Sequence, residues 1–431
     1  MTVRPNRVGG LVLAAAISLL AAGCARQTGP EPASPDVGAG HGDVVARGQY
    51  LATAADCAAC HTAPGGQPFA GGRAFKLPFG TMYATNITPD VATGIGGYTD
   101  DAFVRALQQG IRKDGKHLYP SMPYTSYAAL SRTDALAIKA YLFSLAPTRA
   151  PAKPATFGFP FNQRWGMAVW NAVFLKDQRF QAEAALTAEQ NRGKYLATAL
   201  GHCGECHTPR NFAYGMDTGR LFSGAALQGW RAFNITADRD AGIGVWSHAD
   251  LVRYLSTGRA DGHGAASGPM AEVVDYSLQH LTSEDVNALA TYLAAVKAHP
   301  GTPNAPVDPA PPTLRASQPW APGTPTAGLG QHVFASACAS CHAWNGGAPA
   351  SPYAALAGSR AVGDPSGLNV VQVILSGADA RIAGEHVRMP AFGRGLSDTE
   401  IAAVSNYVLG QFGGVRGTVT LRKVRDARTV Q

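Results

Sequence analysis

Three copies of Cys-x-x-Cys-His punctuate the chain: Cys57-Ala-Ala-Cys60-His61, Cys203-Gly-Glu-Cys206-His207 and Cys338-Ala-Ser-Cys341-His342. This pattern reads as c-type haem attachment. Two thiols add across the two vinyl groups of a haem to form thioethers, and the adjacent imidazole ligates the iron. Six of the seven cysteines lie in the three motifs. Zinc ligation, a redox disulfide and a structural disulfide are the competing readings of Cys-x-x-Cys. None of them calls for a histidine directly after every pair.

The motifs recur at intervals of 146 and 135 residues, which divides 431 residues into three modules. Each module needs a second iron ligand, and methionines supply the candidates. Met122, Met270 and Met389 stand 51 to 67 residues beyond the first motif cysteine. Twelve residues before each is a glycine (Gly110, Gly258, Gly377), and fifteen before is a branched aliphatic (Leu107, Leu255, Ile374). That shared register is internal-repeat evidence, and it sets these three apart from Met82, Met167 and Met216. Met82 is the runner-up in the first module. Prolines flank the chosen methionines (Pro120 and Pro123, Pro269, Pro390) and restrict the loops that hold the thioethers. His117, His263 and His386 leave bis-histidine ligation open, but at three different offsets.

A helix with matching punctuation follows each methionine. Ser131-x-x-Asp134, Thr282-x-x-Asp285 and Ser397-x-x-Glu400 read as capping boxes, the first two with Asp in place of Glu. A tyrosine lies ten residues after each cap: Tyr141, Tyr292 and Tyr407. In the third helix Ile401, Val404, Val408 and Phe412 fall at helical spacing. Before each motif a shorter helix carries glycine and an aromatic: Gly48 and Tyr50, Gly193 and Tyr195, Gly330 and Phe334. These pairs read as core packing where two helices cross closely. The first two modules also share Asn86-Ile-Thr with Asn234-Ile-Thr, and Gly94-Ile-Gly with Gly242-Ile-Gly. The repeated asparagines read as turns or haem-pocket contacts rather than glycosylation sites.

The expected fold is all-α: three tandem cytochrome c domains joined by Pro-rich linkers. The divisions are 1–23 signal peptide, 24–44 flexible tether, 45–148 first domain, 149–186 linker, 187–298 second domain, 299–326 Pro-rich linker, 327–413 third domain and 414–431 basic tail. The tail is expected to be solvated. In the first linker, Trp170, Val173 and Phe174 are expected to bury between domains. The start combines Arg4 and Arg7 with an apolar run over 11–22, too short to span a bilayer as a mature helix. Leu20-Ala-Ala-Gly23-Cys24 resembles a lipoprotein lipobox, so Cys24 is the expected lipidated residue and membrane lipid a partner. The haem-bearing part is then exported and lipid-anchored on the periplasmic side of a bacterial membrane. The +7 formal charge falls to +5 once Arg4 and Arg7 go. The propionates of three haems would add about −6 more. Nucleic acid is therefore not an expected partner.

In residues 45–412 the chain resembles the three-haem cytochrome c subunit of bacterial membrane-bound dehydrogenases, of the alcohol dehydrogenase and gluconate 2-dehydrogenase type. The resemblance rests on the three motifs and on Phe79-Gly-Thr-Met-Tyr-Ala-Thr-Asn86-Ile-Thr-Pro. It rests also on Tyr119-Pro-Ser-Met122-Pro-Tyr124, Gly201-His-Cys-Gly-Glu-Cys-His207-Thr-Pro-Arg210-Asn and Arg388-Met389-Pro-Ala-Phe392. It implies three covalently bound haem c groups and no catalytic residue of its own. A catalytic dehydrogenase subunit would oxidise an alcohol, sugar-acid or aldehyde. The cytochrome would pass the electrons to ubiquinone or another respiratory carrier. The alternatives are a stand-alone membrane-anchored donor to a terminal oxidase and a haem peroxidase. Three well-placed methionines argue against the open iron position that a peroxidase needs.

Overall fold

Three times the chain crosses a short helix with a longer one. In the computed structural model, residues 43–77, 79–301, 327–349 and 351–430 are described. The expected signal peptide, Cys24, nearly all of the tether and most of the second linker lie outside them. α1 (Val44–Ala54) begins on Asp43, whose side chain accepts from the Val45 amide, and leads into the single turn α2 (Cys57–His61). α3 (Asp100–Gln109), α4 (Tyr124–Tyr127) and α5 (Arg132–Ser144) follow, and α5 packs across α1. α6 (Gly166–Phe174) comes next. α7 (Ala188–Tyr195), α8 (Gly204–His207), α9 (His248–Thr257), α10 (Pro269–Tyr276) and α11 (Ser283–Ala295) repeat the plan, with α11 on α7. α12 (Ala327–Ala337), α13 (Ala339–His342), α14 (Leu368–Ser376) and α15 (Asp398–Gly413) form the third unit, with α12 on α15. α16 (Leu421–Thr429) then packs on α14 and α15.

Glycine permits each crossing. A Cβ on Gly48 or Gly193 would stand 1.9 Å from the carbonyl oxygen of Ala137 or Ala288, and one on Gly330 would stand 2.4 Å from that of Ala403. The same three Cβ atoms would also strike the Cβ of Tyr141, Tyr292 and Tyr407. Gly193→Ala therefore meets backbone that no rotamer change relieves. Overpacking of this kind costs about 1–3 kcal/mol, and a backbone clash belongs at the upper end. Denaturant unfolding measures it; a loss below about 0.5 kcal/mol would rule out so close a crossing. Gly110 and Gly258, twelve residues before their methionines, cap α3 and α9 in the left-handed region (φ 64° and 70°).

The all-α expectation needs amendment. Among the described residues four two-stranded antiparallel hairpins interrupt the helices: β1 (Ala74–Leu77) with β2 (Gly80–Tyr83), β3 (Ala225–Leu227) with β4 (Trp230–Ala232), β5 (Arg259–Ala260) with β6 (Gly264–Ala265), and β7 (Ala378–Ile382) with β8 (Glu385–Met389). Gln228-Gly229 and Ala383-Gly384 take positive φ at both turn positions, which matches the right-handed twist of the strands they join. These strands are two to five residues long. Too few side chains alternate in them for a period of two to show.

All described residues belong to one compact unit, with two apolar cores. One core is shared by the first and second units, where Leu51, Leu130 and Ile138 join Tyr195, Leu200 and Leu289, and Ala380 and Ile382 of β7 enter it from the third. The other belongs to the third unit and holds Phe334, Ile401 and Leu409. The stretch read as a linker contributes α6: Tyr124 donates to Asn171 at 2.7 Å and the Trp170 indole to the Ala213 carbonyl at 2.8 Å. Trp170 and Phe174 pack inward as expected, whereas Val173 is 69% exposed. The C-terminal stretch is not a solvated tail. Val424 and Ala427 are buried, and Arg428 donates to the carbonyls of Gly393 and Leu396, tying down the loop after Met389.

The first two units meet reciprocally. Arg47 donates to Asp134 at 2.6 Å within the first unit, and Tyr195 of the second donates to the same carboxylate. Arg192 donates to Asp285 at 2.7 Å within the second, and Tyr50 of the first donates to that one. Corresponding residues exchange places, as in a two-fold interface between identical subunits. This overturns part of the capping expectation. Ser131 and Thr282 do cap the amides of Asp134 and Asp285, but both carboxylates point into the interface. Of these three expected boxes, Ser397 with Glu400 alone is closed in full.

Candidate haem-attachment sites

In α2, and in α8 and α13 together with the cysteine that caps each, a single turn sets the motif cysteines three residues apart with the histidine directly after, so the three side chains lie on adjoining faces. Each histidine is then fixed by backbone. His61 Nδ1 lies 2.7 Å from the Thr85 carbonyl, His207 Nδ1 2.6 Å from that of Phe233, and His342 Nδ1 2.6 Å from that of Ala354. A carbonyl only accepts, so Nδ1 carries the proton and Nε2 keeps its lone pair for a metal. Asn86 and Asn234, next to two of the acceptors, are buried at 3% and 5% exposure. Each Oδ1 accepts from the amide and hydroxyl of Thr88 or Thr236, and each Nδ2 donates to a distant carbonyl, Thr148 or His299. The repeated Asn-Ile-Thr is thus the turn that aims the carbonyl before it.

The sulfur environment suits a thioether. Burial above all pushes the thiols of Cys57, Cys60 and Cys203 up to about 12, and those of Cys206 and Cys338 up to about 11. A neutral sulfur is favoured at all five, and a thioether is neutral. Burial likewise lowers His61 and His207 against the opposing pull of their carbonyl bonds, keeping both rings neutral as ligation requires. Among the described residues no three His, Cys, Asp or Glu side chains converge as a metal site, so a zinc ligand set is not assembled.

Met122, Met270 and Met389 are all half-buried but sit in different local structures. Met122 lies in a turn, its amide donating to the Tyr119 carbonyl at 3.1 Å. Met270 follows Pro269 in the first turn of α10, and Met389 ends β8 opposite Ala378. Met122 and Met270 pack on the same core as Cys57 and Cys203, and Met389 on the same core as Cys338. Met82 sits in β2 opposite Phe75. The rival histidines have partners: His117 meets Asn171 at 3.3 Å, His263 stacks on Trp246 at 3.8 Å, and His386 meets Asp379 at 2.8 Å.

Sequence reasoning passed over the residues just before two motifs. Asp56 and His202 are both in the left-handed region, φ 51° and 37°. Asp56 is buried, and its Oδ1 finds no hydrogen-bond partner among the described residues. Burial first, then the charge of Glu272, raises its carboxyl to about 8 against the opposing pull of Arg73. A raised acid binds a proton in the folded state that the unfolded chain releases near pH 4. Stability therefore falls as pH rises from about 4 to 8, by up to about 1.4 kcal/mol per unit. Asp56→Asn should flatten that slope in denaturant titrations of the haem-loaded protein. Equal losses in both proteins between pH 5 and 8 would sink the assignment.

Helical units that set paired thiols beside a carbonyl-anchored imidazole are built as c-type cytochromes are. The cytochrome c family model matches residues 45–146 and 327–411. The chain is 38% identical over 419 residues to the fructose dehydrogenase cytochrome subunit of Gluconobacter japonicus, covering 92% of this chain and 85% of that one. It is 39% identical over 401 residues to the gluconate 2-dehydrogenase cytochrome c subunit of Pantoea cypripedii, covering 89% of each. With the cytochrome c subunit of the alcohol dehydrogenase (quinone) of Gluconobacter oxydans it shares 38% over 399 residues, 90% of this chain and 82% of that one. The chain belongs to this family of dehydrogenase cytochrome c subunits. It carries covalently bound haem c, and its work is electron transfer.

Proposed function

We propose that the chain is a tri-haem cytochrome, the electron-transfer subunit of a periplasmic membrane-bound dehydrogenase complex. It takes electrons from a catalytic subunit that oxidises an alcohol, sugar-acid or aldehyde and delivers them to ubiquinone or another respiratory carrier. The observation that carries this reading is the threefold repetition of a motif histidine anchored through Nδ1 to a backbone carbonyl. Cys57 and Cys60, Cys203 and Cys206, and Cys338 and Cys341 hold the haems. The iron ligands are His61 with Met122, His207 with Met270, and His342 with Met389. Each bound haem supplies an Fe(III)/Fe(II) couple, whose potential thioether ligation raises. The chain's own task is to keep both ligands in place in either oxidation state. Thr85, Phe233 and Ala354 hold the imidazoles, and Pro123, Pro269 and Pro390 restrict the backbone beside the methionines. Lipid on Cys24 moors the assembly to the membrane.

Purifying the full-length protein from its native membranes tests this. The expected preparation has three haems per chain and a co-purifying dehydrogenase, and it reduces a quinone analogue on adding that enzyme's substrate. Recovery of the cytochrome with no dehydrogenase would favour the stand-alone donor and overturn the subunit assignment.

A further inference from the structure

The second unit differs from the first at the carbonyl that holds its histidine. In the first unit the acceptor belongs to Thr85, in the second to Phe233, 148 positions later in the shared register. Only Phe233 offers an aromatic face. The guanidinium of Arg360, from the third unit, lies 4.6 Å from the centre of that ring. It also donates to the Asn234 carbonyl at 3.1 Å, the peptide oxygen next to the one that accepts from His207, and to the Ala241 carbonyl. Arg231 approaches the same ring at 5.5 Å and is paired at 2.6 Å with Asp364, whose side chain is 2% exposed. A half-buried cation from one unit is thereby locked onto the backbone that orients the imidazole of another.

We propose that Arg360 tunes the reduction potential of the centre held by His207, acting as a positioning residue and a fixed positive charge supplied by the third unit. The inference rests on the reading that His207 ligates haem iron. The sign follows from charge. Oxidised haem carries one more positive charge than reduced haem, so a nearby cation favours the reduced form and raises the potential. Screening is weak where the charge is withdrawn from solvent. Burial lowers Arg360 only to about 10, so it remains a cation at neutral pH. Held by two carbonyls and a ring, the guanidinium cannot swing away from the site. The first unit has Thr85 where this platform stands, so two centres of similar build are set at different potentials.

The test is an optical redox titration of the full-length, haem-loaded protein. Arg360→Gln keeps hydrogen-bond donors and loses the charge. It should leave three low-spin haems and shift one of three oxidised-to-reduced ratios about tenfold toward oxidised, a fall of about 59 mV for one electron. Arg360→Lys keeps the charge and should restore most of that shift. In a Met270→Ala background the centre that moves should be the high-spin one. Three low-spin haems with three unshifted potentials in Arg360→Gln would overturn the proposal. If that variant does not fold, Asp364→Asn gives the opposite sign, because it removes the carboxylate facing both arginines: one potential should rise, and no change overturns the proposal equally. His207→Ala tests the underlying reading separately. It should remove the low-spin signal of one haem whether or not Arg360 tunes it.

Discussion

Met122→Ala, Met270→Ala and Met389→Ala should each turn one haem of three high-spin and leave the other two untouched. The three methionines are half-buried and occupy a turn, a helix start and a strand end. A shared role despite unlike local structure would mean that the register, not the secondary structure, is what the three units hold in common. Alanine removes the sulfur and leaves a gap that water enters, so the affected centre loses its sulfur-to-iron charge-transfer band and its high potential. The motif cysteines that would hold the haem covalently and the Nδ1 anchors of the histidines are untouched, so the haem should stay attached at three per chain. Electron paramagnetic resonance reads the spin state directly. Met82→Leu is the control, since Met82 lies outside the glycine-to-methionine register that the three units share. If Met122→Ala is silent and Met82→Leu is not, the first centre's ligand is Met82.

Asp285→Ala and Asp134→Ala should be among the most destabilising single changes in the molecule, and should cost nearly the same. Each carboxylate takes an arginine from its own unit and a tyrosine hydroxyl from the other. Asp134 is fully buried, and Asp285 is 6% exposed. Removing one partner of such a pair leaves a guanidinium without its counter-charge, which costs about 3–5 kcal/mol. Tyr50→Phe or Tyr195→Phe removes only a hydroxyl and should cost about 1 kcal/mol. Denaturant unfolding of the haem-loaded protein measures all four. A large cost at one aspartate and almost none at the other would contradict the reciprocal interface.

What was legible in the sequence was local. The motifs, the capping glycines Gly110 and Gly258, the glycine–tyrosine crossings and the helix starts each declare themselves within a few residues. The acceptors at Thr85, Phe233 and Ala354 do not, because the working atom is a backbone oxygen that every residue owns. The repeated Asn-Ile-Thr was the available signal for two of them. Asp134 and Asp285 were misleading for a different reason. An acid three residues after a cap favours a box by proximity, but Arg47, Arg192, Tyr50 and Tyr195 arrive from elsewhere and outbid the cap. Long-range partners also explain α16, whose arginines resemble a solvated run until Arg428 finds the carbonyls of Gly393 and Leu396. Arg360 carries no local mark at all.

The shared core has a consequence for speed. Electron tunnelling falls off exponentially with distance, so even a small hinge motion between two redox centres makes their exchange rate fluctuate. Leu51, Leu130, Tyr195 and Leu289 belong to one apolar cluster, and the Arg–Asp–Tyr links close it from both directions. Such packing opposes hinge motion between the first two units, so their exchange rate should vary little with salt. The third unit keeps a separate core of its own and reaches the shared one through Ala380 and Ile382 of β7, beside polar links such as Arg231 with Asp364. Ionic strength and viscosity should therefore act on that junction first.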